Sequence, residues 1–334
     1  LSLAVAGTIG FEGPAPTLEL GGEWAALRWP LAGQASIESP LGTFAVKGAL
    51  PYAFDVQAHA RAPALQGAPE ARFTAAGSVD DGRLVLDRLD GEVLRGRLAG
   101  SGTVAWTGEQ AWTARIAAQD LDLAVVRPDL PGRVSAVATI DGRGFSPASP
   151  WTARLASLSG TLAGRALTGH GEVSHRDGNY ELREVRIANG PSHVDLNGRW
   201  GSTVDLRWSA NVTTLALLHP DLAGELVSSG RARGSSSRPR VEGDLQVRGL
   251  RFAGVAVQSV EAEVDVDATD AHESRVDVRA TDIDLGPIQL DKARFDARGL
   301  LAGHDLALEF SSPGGGTQRL PPVRGQVGLR GVYA

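Results

Sequence analysis

Two groups of polar residues have the types, though not the full spacing, of metal-binding sites. His170, His175 and Asp177 come closest to a metal cluster, and Asp282-x-Asp284-x-Gly286 resembles the start of a calcium loop. The histidine group has no third ligand at a persuasive spacing, and the aspartate motif has neither its remaining ligands nor the closing Glu. Solvated strand and loop positions are therefore the simpler interpretation of both groups.

The remaining residue types give no pattern of nucleophilic or acid/base catalysis. Glu261 and Glu263 are a pair of acids, but they alternate with apolar residues as the wet face of a strand does. The chain has no Gly-x-Ser-x-Gly elbow or phosphate-binding glycine loop, and it has no cysteine for a thiol nucleophile, a disulfide or a Cys metal site. The sequence thus predicts a non-enzymatic protein with no metal and no cofactor, and an enzyme is a minor alternative.

Composition favours short strands joined by tight turns. Aromatic residues are only 5% of the 334 residues, whereas glycine occurs 42 times. The net charge of −6 argues against nucleic acid as a partner, because phosphate binding needs a clustered basic surface. The sequence has no methionine and opens on Leu1, so we expect it to be part of a longer protein.

The strongest local pattern is a predicted β-hairpin at residues 193–212. Apolar residues hold the even positions of 193–200 and 204–212, and polar residues hold most of the odd ones. Only a three-residue loop, Gly201-Ser202-Thr203, puts both apolar rows on one face, because a slip of one residue reverses every side chain. The predicted opposite pairs are Leu196 with Trp208, Gly198 with Leu206, and Trp200 with Val204. No neighbouring helix in the sequence could cover this apolar surface.

An internal repeat extends this pattern along the chain. Residues 112–132 align without gaps on residues 204–224, an offset of 92, with eight of 21 positions identical. A long repeat without helices of its own predicts stacked β units. Only residues 124–127 and 216–219 could hold a helical turn, each stopped by the proline that follows. The predicted divisions are an incomplete repeat at 1–41, repeats at 42–111, 112–203 and 204–310, and a linker with the start of a further unit at 311–334.

One strand pattern changes face near Thr281-Asp282. Val276 and Val278 hold even positions, whereas Ile283 and Leu285 hold odd ones. A bulge or bend would keep all four on the same face.

A diffuse motif in the repeats resembles a known family. The motif begins with Leu-x-Gly and has a further glycine about ten residues later. A proline, a strand and the tripeptide apolar-Ala-Gly then follow in that order. It occurs as Leu130-Pro-Gly132, Gly142-Arg-Gly144, Pro150 to Leu155 and Leu162-Ala-Gly164, and again as Leu222-Ala-Gly224, Gly234, Pro239 to Leu245 and Phe252-Ala-Gly254. This pattern resembles the repeat of the TamB family, AsmA-like bridge-type lipid-transfer proteins of Gram-negative bacteria.

The resemblance implies an all-β protein whose elongated, repeat-built antiparallel sheet curls into a U-shaped groove with an apolar lining. It also implies a periplasmic location, an N-terminal inner-membrane anchor, and an outer-membrane TamA-type barrel as partner, met through a C-terminal part outside this chain. Phospholipid acyl chains are the expected ligand, carried between the two membranes. The residues expected to line the groove are Val194, Leu196, Trp200, Leu206, Trp208, Val212, Leu245, Val247, Val264 and Val266.

Two other functions fit an all-β repeat protein. The first is a scaffold or chaperone that offers edge strands to unfolded outer-membrane proteins by strand addition. The second is a closed β-helix with a dry core, which long alternating strands and a period of about 92 residues fit poorly.

Overall fold

The structure is a computed structural model that describes residues 1–13, 15–29, 34–63, 70–300, 303–312 and 323–331. The chain divides into two compact units, Leu1–Asp177 (unit 1) and Gly178–Ala334 (unit 2). The described strands of unit 1 are β1 (Ser2–Gly10), β2 (Thr17–Trp29), β3 (Ile37–Gly48), β4 (Tyr52–Ala60), β5 (Ala71–Val79), β6 (Arg83–Val93), β7 (Gly96–Ala105), β8 (Ala111–Asp122), β9 (Gly132–Arg143), β10 (Trp151–Leu162) and β11 (Arg165–Arg176). Those of unit 2 are β12 (Asn179–Asn189), β13 (Ser192–Trp200), β14 (Thr203–Val212), β15 (Ala223–Ser235), β16 (Arg238–Phe252), β17 (Val255–Asp267), β18 (Ser274–Asp284), β19 (Gln289–Leu300), β20 (Gly303–Ser312) and β21 (Val323–Gly331).

Within each unit, every strand pairs antiparallel with its neighbours in sequence. This holds from β1 to β11 in unit 1 and from β12 to β21 in unit 2. Tight turns between successive antiparallel strands suit a chain rich in glycine. The predicted all-β fold, an open antiparallel sheet without α-helices in the described residues, is confirmed.

The predicted hairpin forms with the predicted register. Leu196 lies opposite Trp208 and Gly198 opposite Leu206 in the ladder between β13 and β14. The last pair of this ladder is Arg199 with Asp205, so the predicted pair of Trp200 with Val204 lies beyond it. Thr203 belongs to β14 because it pairs with Ser235 of β15, and the register between β13 and β14 is still that of the three-residue loop. The register was predictable because only one parity puts both apolar rows on the same side.

The two predicted helical turns are 3₁₀ helices, η1 (Leu123–Val125) and η2 (Leu215–Leu217), and they lie 92 residues apart as the repeat requires. Each begins one residue before the predicted turn. In η1, the Asp122 carboxylate accepts a hydrogen bond from the Ala124 backbone N–H at 3.1 Å, which starts the turn. Both helices end before the prolines, as expected for a residue that cannot continue a helix.

The change of face in β18 is a bend at Asp282, which adopts a positive φ of 49°. Thr281 lies opposite Ser259 and Ile283 opposite Val257, so the ladder with β17 keeps one register through the bend. The apolar residues of β17 change parity at the same level. The register is therefore the same on both sides of the bend, and no residue is inserted in either strand. Within the predicted linker and further unit at 311–334, the glycine run 314–316 lies outside the described residues.

Each unit has one apolar face, defined here as the side of the sheet that carries the alternating aliphatic and aromatic residues, and one polar face. On the apolar face of unit 2, one cross-strand row runs through nine strands. Its members are Val194, Ala210, Ser228, Leu245, Ala262, Val278, Phe295, Leu308 and Val327. A strand spacing of about 4.8 Å makes this row roughly 40 Å long.

Candidate functional site

The apolar face of unit 2 carries all the residues predicted to line a groove. Val194, Leu196 and Trp200 lie on β13; Leu206, Trp208 and Val212 on β14; Leu245 and Val247 on β16; Val264 and Val266 on β17. The registers bring nine of them into four adjacent cross-strand rows, so that Leu196 and Trp208 share a row with Val264, and Leu206 shares one with Val266. Trp200 lies beyond these rows, opposite Tyr180 of β12.

Exposure divides these predicted residues into two groups. Val212 and Val247 are buried, where they form a cluster with Leu215 of η2. Most of the others are half-buried, while Trp200 at the end of β13 is 53% exposed. A ligand on this face would therefore contact the half-buried residues directly. Val212 and Val247 lie beneath η2 and would not touch it.

The sequence-based selection missed residues that share this face. Leu226 and Val260 occupy the same row as Val212 and Val247, and Leu222 and Leu250 pack on the same cluster. Val276, Val278, Phe295, Leu306, Leu308 and Phe310 extend the rows across β18 to β20. Their alternation was visible in the sequence, but assigning them to common rows required the register of every intervening strand.

The polar face of unit 2 is held by ion pairs between neighbouring strands. Arg231 donates to Asp205 at 2.8 Å, and Arg240 donates to Asp265 at 3.0 Å. The carboxylate of Asp277 is buried between Arg279, at 2.9 Å, and Arg294, at 2.6 Å. Burial would raise the pKa of Asp277, but the hydrogen bond from Arg294 and the charges of both arginines bring it below the usual value. These contacts keep the charged side chains on the polar face of the sheet.

A buried aspartate at the turn from β17 to β18 predicts a specific acid sensitivity. Asp267 accepts hydrogen bonds from the Thr269 hydroxyl at 2.6 Å and backbone N–H at 2.8 Å, with His272 Nδ1 at 3.0 Å. These contacts lower the pKa of Asp267 from 3.8 to about 2. Because the folded-state pKa is depressed, the stabilisation is present above the unfolded value and is lost as the pH falls from about 4 towards 2.

We therefore expect Asp267→Asn to lower the free energy of unfolding at neutral pH and to flatten its decline below about pH 4. Urea unfolding at a series of pH values, followed by circular dichroism, measures both effects. The matched control is Glu273→Gln, an exposed carboxylate in the same turn, which should keep the wild-type acid sensitivity. Equal acid sensitivity in wild type and Asp267→Asn would contradict the assignment.

The residues considered for metal binding or catalysis make structural contacts or lie on the polar face. His175 is buried and stacks on Trp151 with ring centroids 5.9 Å apart. Asp284 accepts a hydrogen bond from the Gly286 backbone N–H at 2.8 Å, which shapes the turn after β18. Glu261 and Glu263 are exposed on the polar face. Within the described ranges, no group of three or more His, Cys, Asp or Glu side chains is arranged to hold a metal ion.

The comparisons with known proteins bear on the whole chain. Among the residues that the structure describes, none forms a helix of the length and apolarity required to cross a membrane. No solved structure matches the chain. The family described as TamB, N-terminal domain, matches residues 1–329 of the 334. The open antiparallel sheet, its repeated order of elements and a family match over nearly the full length agree, and the chain belongs to the TamB family, as its N-terminal domain.

Proposed function

We propose that the apolar face shields phospholipid acyl chains from water during their transfer between the inner and outer membranes. In this proposal the chain is a non-enzymatic segment in the periplasm of a Gram-negative bacterium, and it supports outer-membrane biogenesis. A TamA-type barrel in the outer membrane is the implied protein partner. The membership of the chain in the TamB family supports the proposal.

The observation that carries the proposal is a mostly apolar surface that the described residues of unit 2 leave unsealed. The row from Val194 to Val327 crosses nine strands of unit 2, and most of its members are half-buried or exposed. No large side chain among the described residues is fully buried. An ordinary core would interlock its aliphatic side chains, whereas this surface keeps hydrocarbon contact available.

Hydrophobic burial alone is sufficient to hold an acyl chain on this face, without specific contacts. Burial contributes about 0.8 kcal/mol per methylene group, so half of an acyl chain would be held by several kcal/mol. Because eight of the nine residues in the row are apolar and follow one another at a spacing of about 4.8 Å, the attraction varies little along the row. A lipid could therefore move from strand to strand without a deep trap.

We expect the purified chain to retain phospholipid, which mass spectrometry of the intact complex under gentle ionisation would identify. Photocrosslinking from apolar-face positions such as Leu245 should capture lipid, whereas the adjacent polar-face position Gln246 should not. Absence of lipid from both assays, with crosslinks from strand edges to unfolded outer-membrane proteins, would favour a scaffold function instead.

A further inference from the structure

Aromatic rings on the apolar faces of both units lie over glycines of the neighbouring strand. In each such pair, a Cβ atom added to the glycine would overlap the ring. The pairs, each within a single unit, are Trp24 with Gly42, Phe73 with Gly91, Trp112 with Gly142, Trp208 with Gly230, and Phe310 with Gly325. The recurrence indicates that a ring fills the space that the missing side chain would have occupied.

The three indoles are also tied to the sheet by their N–H groups. Trp24 Nε1 donates to Ser39 Oγ at 2.9 Å, and Trp208 Nε1 donates to Ser228 Oγ at 3.1 Å. Trp112 Nε1 donates to the carbonyl oxygen of Gly144 at 3.0 Å. A ring held over a glycine and by its N–H lies along the sheet instead of standing up from it, and its polar atom is satisfied within the protein.

We propose that the ring–glycine pairs set the height of the lining and so keep a path for acyl chains open above the largest side chains. This inference rests on the proposed function and adds the residues that determine the clearance. A side chain at the glycine would lift the ring away from the sheet and into the path of the lipid. The glycines are therefore positioning residues that act through the neighbouring ring, although they contribute no contact area themselves.

The pair of Trp24 and Gly42 gives the sharpest test, because the atoms closest to an added Cβ at Gly42 all belong to the indole. Gly42→Val should lift the ring and break its hydrogen bond to Ser39. Gly21→Val is the matched control: Gly21 lies on the opposite face of β2, where the closest atom to an added Cβ is the Phe44 carbonyl oxygen at 3.8 Å. The second variant, Gly42→Val with Trp24→Ala, removes the ring that the valine displaces.

The probe is phosphatidylethanolamine with a diazirine in one acyl chain, offered in vesicles to the 334-residue chain, followed by peptide mapping of the labelled sites. For Gly42→Val we expect labelling of β2 to β4 to fall about tenfold, the effect of roughly two methylenes that no longer reach the lining. Labelling of unit 2 should persist, the Gly21→Val chain should match wild type, and the double variant should recover labelling.

The outcomes separate this inference from the function on which it rests. Normal labelling of β2 to β4 in folded Gly42→Val, or a double variant that stays unlabelled, would overturn the role of the pair while leaving lipid binding intact. A wild-type chain that takes no label would overturn both proposals. Should Gly42→Val not fold, Gly325→Val against Phe310, with Gly328→Val on the polar face as control, repeats the test in unit 2.

Discussion

Carboxylates at Leu206 and Trp208 are expected to abolish phospholipid retention by unit 2. Both side chains are half-buried on the apolar face and belong to adjacent rows, so Leu206→Asp with Trp208→Glu would place two charges on the proposed lipid path. An unpaired charge against hydrocarbon costs several kcal/mol, and each 1.4 kcal/mol is about tenfold in affinity, so we expect bound lipid to fall by roughly two orders of magnitude. Peptide mapping of the labelling of unit 2 by the diazirine lipid measures the loss, with the labelling of unit 1 as the internal reference.

Substitutions to aspartate and glutamate on the polar face provide the control. Arg207→Asp with Ser209→Glu introduces carboxylates on the same strand, where both native side chains are exposed on the polar face. This control should retain lipid at the wild-type level. If the apolar-face double variant keeps both its bound lipid and the function of the protein in cells, these two residues do not line a lipid path.

Leu215→Ala should produce a large loss of stability. Leu215 of η2 is 4% exposed and packs on Val212 and Val247 in the buried cluster of unit 2. Removal of its outer methyl groups loses their burial and leaves a cavity, which costs about 2–5 kcal/mol for a buried leucine. The midpoint of urea unfolding, followed by circular dichroism, should shift to lower concentration.

Leu218 lies one turn further along and supplies the matched control. It is 61% exposed, so Leu218→Ala should change the free energy of unfolding by no more than about 0.5 kcal/mol. An equal effect of the two truncations would show that η2 does not anchor the cluster. Retained lipid in a destabilised Leu215→Ala chain would place the buried cluster outside the lipid path.

The strands and their pairing could be predicted wherever apolar and polar residues alternate, because the odd or even position of the apolar residues then fixes the register. The hairpin of β13 and β14 has its predicted register because alternation leaves only one pairing with both apolar rows on one side. The two 3₁₀ helices were predictable from the repeat and from the prolines that stop them, to within one residue. The resemblance to the TamB family, found from a diffuse motif, agrees with the family match over residues 1–329.

The predicted site was less complete, for reasons of geometry. Val212 and Val247 alternate as regularly as their neighbours, but burial beneath η2 sets them apart from the half-buried rows. The bend at Asp282 could be located from the change of parity in β18. The apolar residues of β17 change parity at the same level, and this preserves the ladder between the two strands. This match could be recognised only once the pairing of both strands was known. Pairing of an aromatic ring with a glycine likewise joins residues on different strands.

The sequence alone determined that this chain forms antiparallel strands with one apolar side, because alternation, glycine-rich turns and the 92-residue offset are local properties of the chain. Tertiary structure decided which of those apolar residues stay exposed to solvent. Exposure depends on what lies above a side chain: η2 covers Val212, whereas no element seals the row from Val194 to Val327 in the described part of unit 2. It also decided where the rings lie, since only strand register brings Trp24 over Gly42 and Trp208 over Gly230.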